Sequence, residues 1–224
     1  MKLAIFDFDG TLFPRDTLPF LLKQWKHRGF SRSRYYKAVL NLAALYINYK
    51  IRPASETEKE KMKIEAVKRF NNIFLGMNEE EVREFFRLAG EEINNMLFKP
   101  VKDEIAGSFK KGLHTVFLSG AYEMLLNEIG GKLNINTVLG TEIYFDEDGI
   151  YNPEKLDIVS GRTKKEKLLK YFEGEDINWA ESYSYADNYS DLPILELAGN
   201  PVAVRPDDRL KKHAEEKGWR IISN

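Results

Sequence analysis

The feature that most constrains the fold is a short apolar segment near the N-terminus that ends in two aspartates. Residues Lys2–Phe6 form an almost entirely apolar run, and Asp7 and Asp9 follow it directly. Such a run predicts a strand buried on both faces, as in a parallel sheet. Because side chains alternate along extended backbone, the two carboxylates project from the same side and repel each other. We expect that a cation or protonation relieves this repulsion.

A regular alternation of strands and helices begins at about residue 100. The pattern predicts helices over 101–111, 121–131, 190–198 and 207–217, and another that begins near Thr163. It predicts strands over 113–118, 182–186, 201–204 and 219–222, one near 137–139, and a small hairpin that turns at Asp148-Gly149. This alternation indicates a parallel sheet with helices on both faces.

Residues 14–99 show helical patterns only. We expect helices from Thr17 to about Arg28, from Ser31 or Ser33 to about Tyr49, from Glu58 to about Phe74, and from a capping box at Asn78 and Glu81 to about Leu97. The sequence therefore predicts a Rossmann-like, doubly wound α/β core formed by residues 1–13 and 100–224. An all-helical cap domain, residues 14–99, is inserted after the first strand.

The composition excludes several classes of function. The 224 residues carry a net charge of -1, which gives no general attraction to nucleic acid. The absence of cysteine excludes disulfides, thiolate catalysis and cysteine-based zinc sites. The longest apolar stretch, Ala38–Ile51, is interrupted by polar residues and falls short of the roughly 20 residues of a membrane span. We expect a cytoplasmic protein without affinity for nucleic acid, and the oligomeric state is left open.

Polar residues follow the strands predicted to form the centre of the sheet. Ser119-Gly120 follows strand 113–118, and Asp187, with Asp191 four residues on, follows strand 182–186. Each alone is more typical of a turn or a helix N-cap. Ligands bind beyond the carboxyl ends of strands in open α/β sheets, so these side chains should converge with Asp7 and Asp9. Carboxylates without cysteine or a nearby histidine suit Mg²⁺, and Ser119 with the Gly120 amide could hold a phosphate.

A cation to face that phosphate could come from Lys164. Thr163 and Glu166 have the spacing of a capping box, which would make Thr163 the N-cap and Lys164 the first helical residue. A lysine at the positive end of a helix favours an anion. The alternative is that Lys164 belongs to a solvated face with Lys165, Lys167 and Lys170, and spacing alone favours that reading.

The segments "DFDGT", "LSG", a lysine that opens a helix, and "ADNYSD" occur in this order along the chain. Together they resemble the four motifs of the haloacid dehalogenase superfamily. With a helical insertion after the first strand, the chain is similar to the subgroup of phosphoserine phosphatase-like enzymes. One departure is Ala186, which stands where the fourth motif often has glycine.

This resemblance implies a role for each motif. Asp7 would be the nucleophile that forms an aspartyl-phosphate, and Asp9 the general acid and base. Thr11, Ser119, Gly120 and Lys164 would bind the phosphoryl group. Mg²⁺ would be held by Asp7, the backbone carbonyl of Asp9, and Asp187, with direct or water-mediated support from Asp191. Asp9 also favours a phosphatase over a dehalogenase, which needs no proton for its leaving group.

The substrate is the least determined part of the prediction. The resemblance implies a small phosphorylated metabolite such as phosphoserine, with Asp16 and Arg69 as possible substrate-binding residues. A phospholipid-headgroup phosphatase, similar to a phosphatidylglycerophosphatase, and a phosphomutase are alternatives. A non-enzymatic phospho-acceptor module fits least well, since such modules lack the cap and the second acid.

The segment Lys23–Lys37 contains six lysines and arginines and no acidic residue, interleaved with aromatic residues. It could contact an anionic membrane surface. The alternative is a solvated helix face whose aromatic residues turn into the core of the cap, and we favour this alternative on the sequence.

Overall fold

A seven-stranded sheet forms the centre of the protein. The computed structural model describes residues 1–50 and 55–223, without the side chains of residues 48–50, 56 and 162. The strands are β1 (Leu3–Phe6), β2 (His114–Tyr122), β3 (Thr137–Phe145), β4 (Tyr151–Asp157), β5 (Tyr183–Ala186), β6 (Asn200–Val204) and β7 (Arg220–Ile222). Their order is β4-β3-β2-β1-β5-β6-β7, and all neighbours are parallel except β3 and β4.

Helices cover both faces of this sheet. They are α1 (Thr17–His27), α2 (Arg32–Lys50), α3 (Glu56–Asn71), α4 (Glu79–Asn94), α5 (Lys99–Lys110), α6 (Glu123–Gly130), α7 (Gly161–Tyr171), α8 (Leu192–Leu195) and α9 (Asp208–Lys217). Ala4 and Phe6 of β1 pack in the cluster that contains α5 and α6, whereas Leu3 and Ile5 pack on the side of α7 and α8. The predicted doubly wound α/β fold is thereby confirmed.

Helices α1 to α4 follow β1 directly, as the sequence predicts. The capping box at the start of α4 is present: Asn78 Oδ1 accepts from the Glu81 amide, and the Glu81 carboxylate accepts from the Asn78 amide, both at 2.9 Å. Helix α4 packs against α6, and Met77 and Glu79 pair with the β3–β4 hairpin. The last helix of the 14–99 segment therefore lies directly on core elements.

No helix in the described ranges 1–50 and 55–223 is both long enough and apolar enough to cross a membrane. Ile51, the last residue of the apolar stretch noted above, lies outside those ranges.

The structure differs from the sequence pattern at β2. This strand does not end at Ser119-Gly120 but continues to Tyr122, which pairs with Thr141 of β3 after a shift in register. The Gly120 carbonyl accepts a hydrogen bond from Thr141 Oγ1 at 2.8 Å, and β2 therefore remains paired with β3 beyond Gly120. The next helix, α6, consequently begins at Glu123, two residues later than expected.

Candidate active site

The register of the central strands brings the predicted motifs to one edge of the sheet. Phe6 of β1 pairs with Phe117 of β2 on one side and with Tyr185 of β5 on the other. Asp7 therefore leaves the sheet next to the strand positions that precede Ser119 and Asp187. The convergence expected from the parallel sheet is present.

A buried lysine joins two of the carboxylates. Lys164 Nζ lies 2.7 Å from Asp7 Oδ1 and 2.8 Å from Asp191 Oδ1, and all three residues are buried. Although burial acts to lower it, the charges of Asp191 and Asp7 raise the pKa of Lys164 above its ordinary value. The ammonium is therefore charged and holds Asp7 in a fixed orientation. The ammonium donates one hydrogen bond to Asp7, and it has hydrogens left for a further acceptor.

The structure corrects the expected start of the helix that carries Lys164. Helix α7 begins at Gly161 with Ser160 in the N-cap position, so Lys164 lies one turn inside the helix and Thr163 is not the N-cap. The reason is a reciprocal contact. The Ser160 amide donates to Thr163 Oγ1 at 2.9 Å, and the Ser160 carbonyl accepts from the Lys164 amide at 2.9 Å. Lys165, the other lysine in the motif, is half-buried and outside the cluster.

The loop after β1 touches Asp187 without any intervening side chain. Gly10 has a φ of +76°, and a Cβ atom on it would lie 2.0 Å from Asp187 Oδ2. Thr11 is buried, and its hydroxyl donates to Asp187 Oδ1 at 3.1 Å, with Asp7 Oδ2 at 3.5 Å. Only glycine therefore fits at position 10, between the first and fourth motifs. The Thr11 hydroxyl is bonded to the Asp187 carboxylate.

The Asp9 carboxylate bonds to Thr17, the first residue of α1. Its Oδ2 accepts from the Thr17 amide at 3.0 Å, and the Thr17 hydroxyl donates to Oδ1. Desolvation raises the pKa of Asp9 to about 7, and the hydrogen bonds from Thr17 only partly oppose it. Asp16 occupies the N-cap position of α1 but makes no capping bond there, so the Asp9 carboxylate serves α1 in its place.

Ser119 and Gly120 lie where β2 shifts its register. Ser119 is buried, and its Oγ accepts from the Ala121 amide at 3.3 Å, which leaves the hydroxyl hydrogen to donate elsewhere. A Cβ atom on Gly120 would lie 3.0 Å from the Val159 carbonyl, in the segment that leads to α7. The motifs carrying Ser119 and Lys164 are thus packed against each other.

Three carboxylates form a group that could hold a cation. Asp7, Asp187 and Asp191 each offer an oxygen, and these atoms all lie within 4.8 Å of one another. Burial, with the charges of Asp7 and Asp191, raises the pKa of Asp187 to about 8. Burial also raises the pKa of Asp191 to about 6, against the opposing charge of Lys164. A group of oxygen ligands whose ionisation is disfavoured in this way fits a hard divalent cation such as Mg²⁺.

The two possible substrate-binding residues lie in different surroundings. Asp16 is exposed and near enough to Asp9 for its charge to raise the pKa of that carboxyl. Arg69 pairs with Glu65 at 2.9 Å and donates to the Asn41 carbonyl at 3.0 Å, which braces α3 against α2. The structure therefore brings Asp16 close to the predicted site and engages Arg69 within the helical segment.

The sequence did not predict a role for Arg205, whose side chain donates to the backbone of the loop after β1. Its Nη2 donates to the carbonyls of Gly10 at 2.5 Å and Thr11 at 3.1 Å, and its Cζ lies 4.3 Å from the centroid of the Phe98 ring. Arg205 has a φ of +42°, an unusual conformation for this residue type. The sequence does not indicate this conformation, because the residue before a proline is expected to be extended.

A second contact that was not predicted joins the helical segment to α7. Ser160 Oγ donates to Glu60 Oε1 at 2.7 Å, and the charge of Lys63 acts on Asp191. Helix α3 therefore lies over the edge of the sheet where the carboxylates converge.

A family model described as haloacid dehalogenase-like hydrolase matches residues 4–196. A histidinol-phosphatase of Neisseria meningitidis is 26% identical over 240 residues, covering 99% of this chain and 98% of its own length. A solved structure of a protein with unknown function from Bordetella pertussis Tohama I aligns with a TM-score of 0.79 at 18% identity, covering 99% of this chain and 98% of the other.

A solved phosphoserine phosphatase, described as a phospho-aspartyl intermediate analogue, aligns with a TM-score of 0.60 at 18% identity, covering 100% of this chain and 94% of the other. At such identities, the two structures show a shared fold. The family match leaves out only residues 1–3 and 197–224, so it includes all four motifs. It confirms the resemblance seen in the sequence. The chain belongs to the haloacid dehalogenase-like hydrolase family.

Proposed function

We propose that this protein is a Mg²⁺-dependent phosphatase that hydrolyses a small phosphomonoester through an aspartyl-phosphate on Asp7. The observation that carries the proposal is the division between two carboxylates. Asp7 is paired with Lys164 among the cluster of acids, whereas Asp9 is set apart with a pKa raised to about 7. One carboxylate is thus oriented by a cation for attack, and the other is suited to exchange a proton near neutral pH.

In the first step, a carboxylate oxygen of Asp7 attacks phosphorus, and the bond from phosphorus to the ester oxygen breaks. The proton on Asp9 passes to that leaving oxygen, so the alcohol departs neutral. In the second step, the ionised Asp9 takes a proton from water while the water oxygen attacks phosphorus. The bond to Asp7 then breaks, inorganic phosphate leaves, and both carboxyl groups return to their starting states.

The groups that would bind the phosphoryl oxygens come from three motifs. We propose that a further hydrogen of Lys164, the hydroxyl of Ser119 and the amide region of Gly120 bind these oxygens, together with Thr11. Mg²⁺ held by Asp7, the carbonyl of Asp9 and Asp187, with support from Asp191, would neutralise charge on the carboxylates and the phosphoryl group. Phosphoryl transfer depends mainly on such positioning and charge neutralisation.

We propose that residues 14–99 act as the cap that encloses a small substrate over this edge of the sheet. The contact between Glu60 and Ser160 supports this, because it joins the helical segment to the start of α7. The relatives named for histidinol phosphate and phosphoserine support a small amine-containing phosphomonoester. In this proposal Asp16, exposed near Asp9, would contact a substrate amine, whereas Arg69 would have to leave Glu65 to reach a substrate.

The first test is hydrolysis of p-nitrophenyl phosphate with Mg²⁺ and after its removal by chelation. We expect free phosphate and nitrophenolate in equal amounts, loss of activity on chelation, and no activity in Asp7→Asn. Lys165→Met serves as the matched control for Lys164→Met, since only Lys164 contacts Asp7. Activity that persists in a folded Asp7→Asn variant, or transfer of phosphate to a second substrate instead of water, would overturn the proposal.

Asp9→Asn separates the two chemical steps. Nitrophenolate leaves without a proton, so the variant should give a stoichiometric burst of nitrophenolate and then turn over about 10²–10⁴-fold more slowly than the parent. An alkyl phosphate, whose leaving oxygen needs the proton, should give no burst. Equal slowing for both substrates without any burst would contradict the roles given to Asp9. A panel that includes phosphoserine and histidinol phosphate then narrows the substrate.

A further inference from the structure

A single buried hydroxyl lies between the two segments that would supply the phosphate-binding groups. Thr141, in β3, is 1% exposed, and its Oγ1 donates to the Gly120 carbonyl at 2.8 Å. The same oxygen accepts from the Val159 amide at 3.2 Å. Gly120 follows Ser119 in the second motif, and Val159 lies directly before the N-cap residue of α7. The hydroxyl therefore uses its one donor and one acceptor position to join the two segments.

The bond to Gly120 reaches Ser119 through one peptide unit. The Gly120 carbonyl and the Ala121 amide belong to the same planar unit, so a bond that fixes the carbonyl also fixes the direction of the amide. That amide donates to Ser119 Oγ at 3.3 Å. The Thr141 bond therefore acts, through the backbone, on the direction in which the Ser119 hydroxyl can donate.

The bond to Val159 reaches Lys164 by a similarly short path. Val159 precedes Ser160, the N-cap residue of α7, and the Ser160 carbonyl accepts from the Lys164 amide at 2.9 Å. Val159 is buried, so without the Thr141 hydroxyl its amide would lose an acceptor in a desolvated place. Thr141 thus fixes the backbone from which the helix of Lys164 starts.

The body of α7 is held to the same part of β3 by a different side chain. Lys167 Nζ donates to the Gly140 carbonyl at 3.0 Å and to Glu142 Oε1 at 2.7 Å. It also bonds to Asp157 Oδ2, at the end of β4, at 2.9 Å. Loss of the Thr141 hydroxyl would therefore leave α7 attached to the sheet and release only its start.

We propose that Thr141 is a positioning residue that aligns Ser119 and Lys164 on the same phosphoryl group. This role rests on the proposed function, since it concerns the groups that would bind the phosphoryl oxygens. Thr141 would touch neither substrate nor the reacting atoms, and it would act through the backbone of Gly120 and Val159. An error of about 1 Å in such an alignment can lower the rate about 10²-fold.

The test measures p-nitrophenyl phosphate hydrolysis with Mg²⁺ in variants of two threonines of β3. Thr141→Val keeps the shape of the side chain and removes the hydroxyl, so kcat/KM should fall about 10–100-fold. Thr141→Ser keeps the hydroxyl and should restore kcat/KM to within about fivefold of the parent. Thr141→Ala replaces Thr141→Val if the valine variant does not fold.

Thr137→Val is the matched control. Thr137 is buried four residues earlier in the same strand, and its hydroxyl lies 2.8 Å from His114 Nε2, which belongs to neither motif. Both valine variants should lower the melting temperature by about 2–4 °C, because each removes a hydroxyl from its hydrogen bonds. Only Thr141→Val should lower kcat/KM.

Two further measurements separate positioning from a general loss of stability. In a Ser119→Ala background, Thr141→Val should lower kcat/KM by a smaller factor than in the parent, because part of its effect passes through Ser119. Calorimetric titration with inorganic phosphate and Mg²⁺ requires no turnover. Thr141→Val should bind phosphate about fivefold more weakly, since the donors on both segments are misdirected.

Unchanged kcat/KM and phosphate affinity in Thr141→Val would overturn the positioning role and leave the phosphatase intact. Equal losses in Thr141→Val and Thr137→Val, or equal factors in the two backgrounds, would overturn it as well, because they indicate a structural role only. A parent that binds phosphate without hydrolysing phosphomonoesters would contradict the proposed function alone, and the phosphate affinity of Thr141→Val would still decide the positioning role. A parent that neither hydrolyses nor binds phosphate would overturn both.

Discussion

At the scale of single residues, Gly10 occupies a position that a side chain would disturb in two ways. With a φ of +76°, any other residue at this position would have a strained backbone. A Cβ atom would also lie 2.0 Å from Asp187 Oδ2. Gly149 has a nearly equal φ of +74°, but nothing lies within 4 Å of a Cβ added there. The two glycines therefore separate backbone strain from a clash with the proposed site.

We expect Gly10→Ala to abolish Mg²⁺-dependent hydrolysis, because the methyl group must displace Asp187. Gly149→Ala should keep its activity and lose only about 1 kcal/mol of unfolding free energy from strain. Steady-state kinetics and chemical unfolding of both variants make the comparison. Similar activity in the two variants would show that the contact between Gly10 and Asp187 is unimportant for turnover.

Arg205 acts through the backbone of the same loop and is a positioning residue. Lysine at this position cannot donate to the carbonyls of Gly10 and Thr11 and stack on Phe98 at once. We expect Arg205→Lys to raise the Mg²⁺ concentration needed for half-maximal activity about tenfold, since the neighbouring carbonyl of Asp9 is a proposed ligand. Arg209→Lys, on α9 and stacked on Tyr189 at 4.2 Å, is the control. A purely structural role would lower stability without changing the Mg²⁺ dependence.

At the scale of elements, the start of α7 determines where Lys164 lies. The sequence pairs Thr163 with Glu166 as a capping box, whereas the structure uses Ser160 and Thr163 and leaves Glu166 exposed. Both arrangements satisfy a helix N-terminus, and local spacing does not distinguish them. The contact of Ser160 with Glu60, distant in sequence, favours the earlier start.

The two arrangements predict different outcomes for a change of Glu166, with Thr163→Val as the comparison. With Ser160 in the N-cap position, Thr163→Val should lower the free energy of unfolding by about 1 kcal/mol, because the Ser160 amide loses its acceptor. It should also reduce turnover by loosening Lys164. Glu166→Ala should change neither quantity. Denaturant unfolding and turnover measure both, and a larger loss for Glu166→Ala would restore the sequence-based assignment.

Much of the fold and of the predicted site follows from the sequence, for physical reasons that particular elements make clear. Short apolar runs with alternating helices indicate the parallel sheet, and the carboxyl ends of its strands then bring Asp7, Ser119 and Asp187 together. The exceptions depend on long-range contacts. Thr141 extends β2 past Gly120, and Arg205 takes a left-handed conformation to reach the loop after β1. No local pattern encodes either contact.

At the scale of the whole molecule, the buried carboxyl groups should link stability to pH and, through the proposed site, to Mg²⁺. Desolvation raises the pKa of Asp9 to about 7, that of Asp187 to about 8 and that of Asp191 to about 6, whereas unfolded aspartates titrate near pH 4. Between these values, the metal-free folded state binds more protons than the unfolded state. Its stability should therefore fall as the pH rises from about 4 to about 8.

Mg²⁺ at the proposed site should reverse this trend, since it would bind the ionised carboxylates and displace their protons. We expect the increase in melting temperature on adding Mg²⁺ to grow as the pH rises from about 6 to about 8. Asp187→Asn should reduce both the increase and its pH dependence. Thermal unfolding over this range, with and without Mg²⁺, measures the effect, and an increase independent of pH would contradict the link.

The bond between Asp9 and Thr17 has a consequence for the proposed reaction cycle. Thr17 is the first residue of α1, and a negative charge strengthens the start of a helix more than a neutral acid does. In the proposed cycle, loss of the proton from Asp9 would therefore strengthen its bonds to the start of α1, and its return would weaken them. The protonation step and the attachment of the first helix of the proposed cap would then depend on the same carboxyl group.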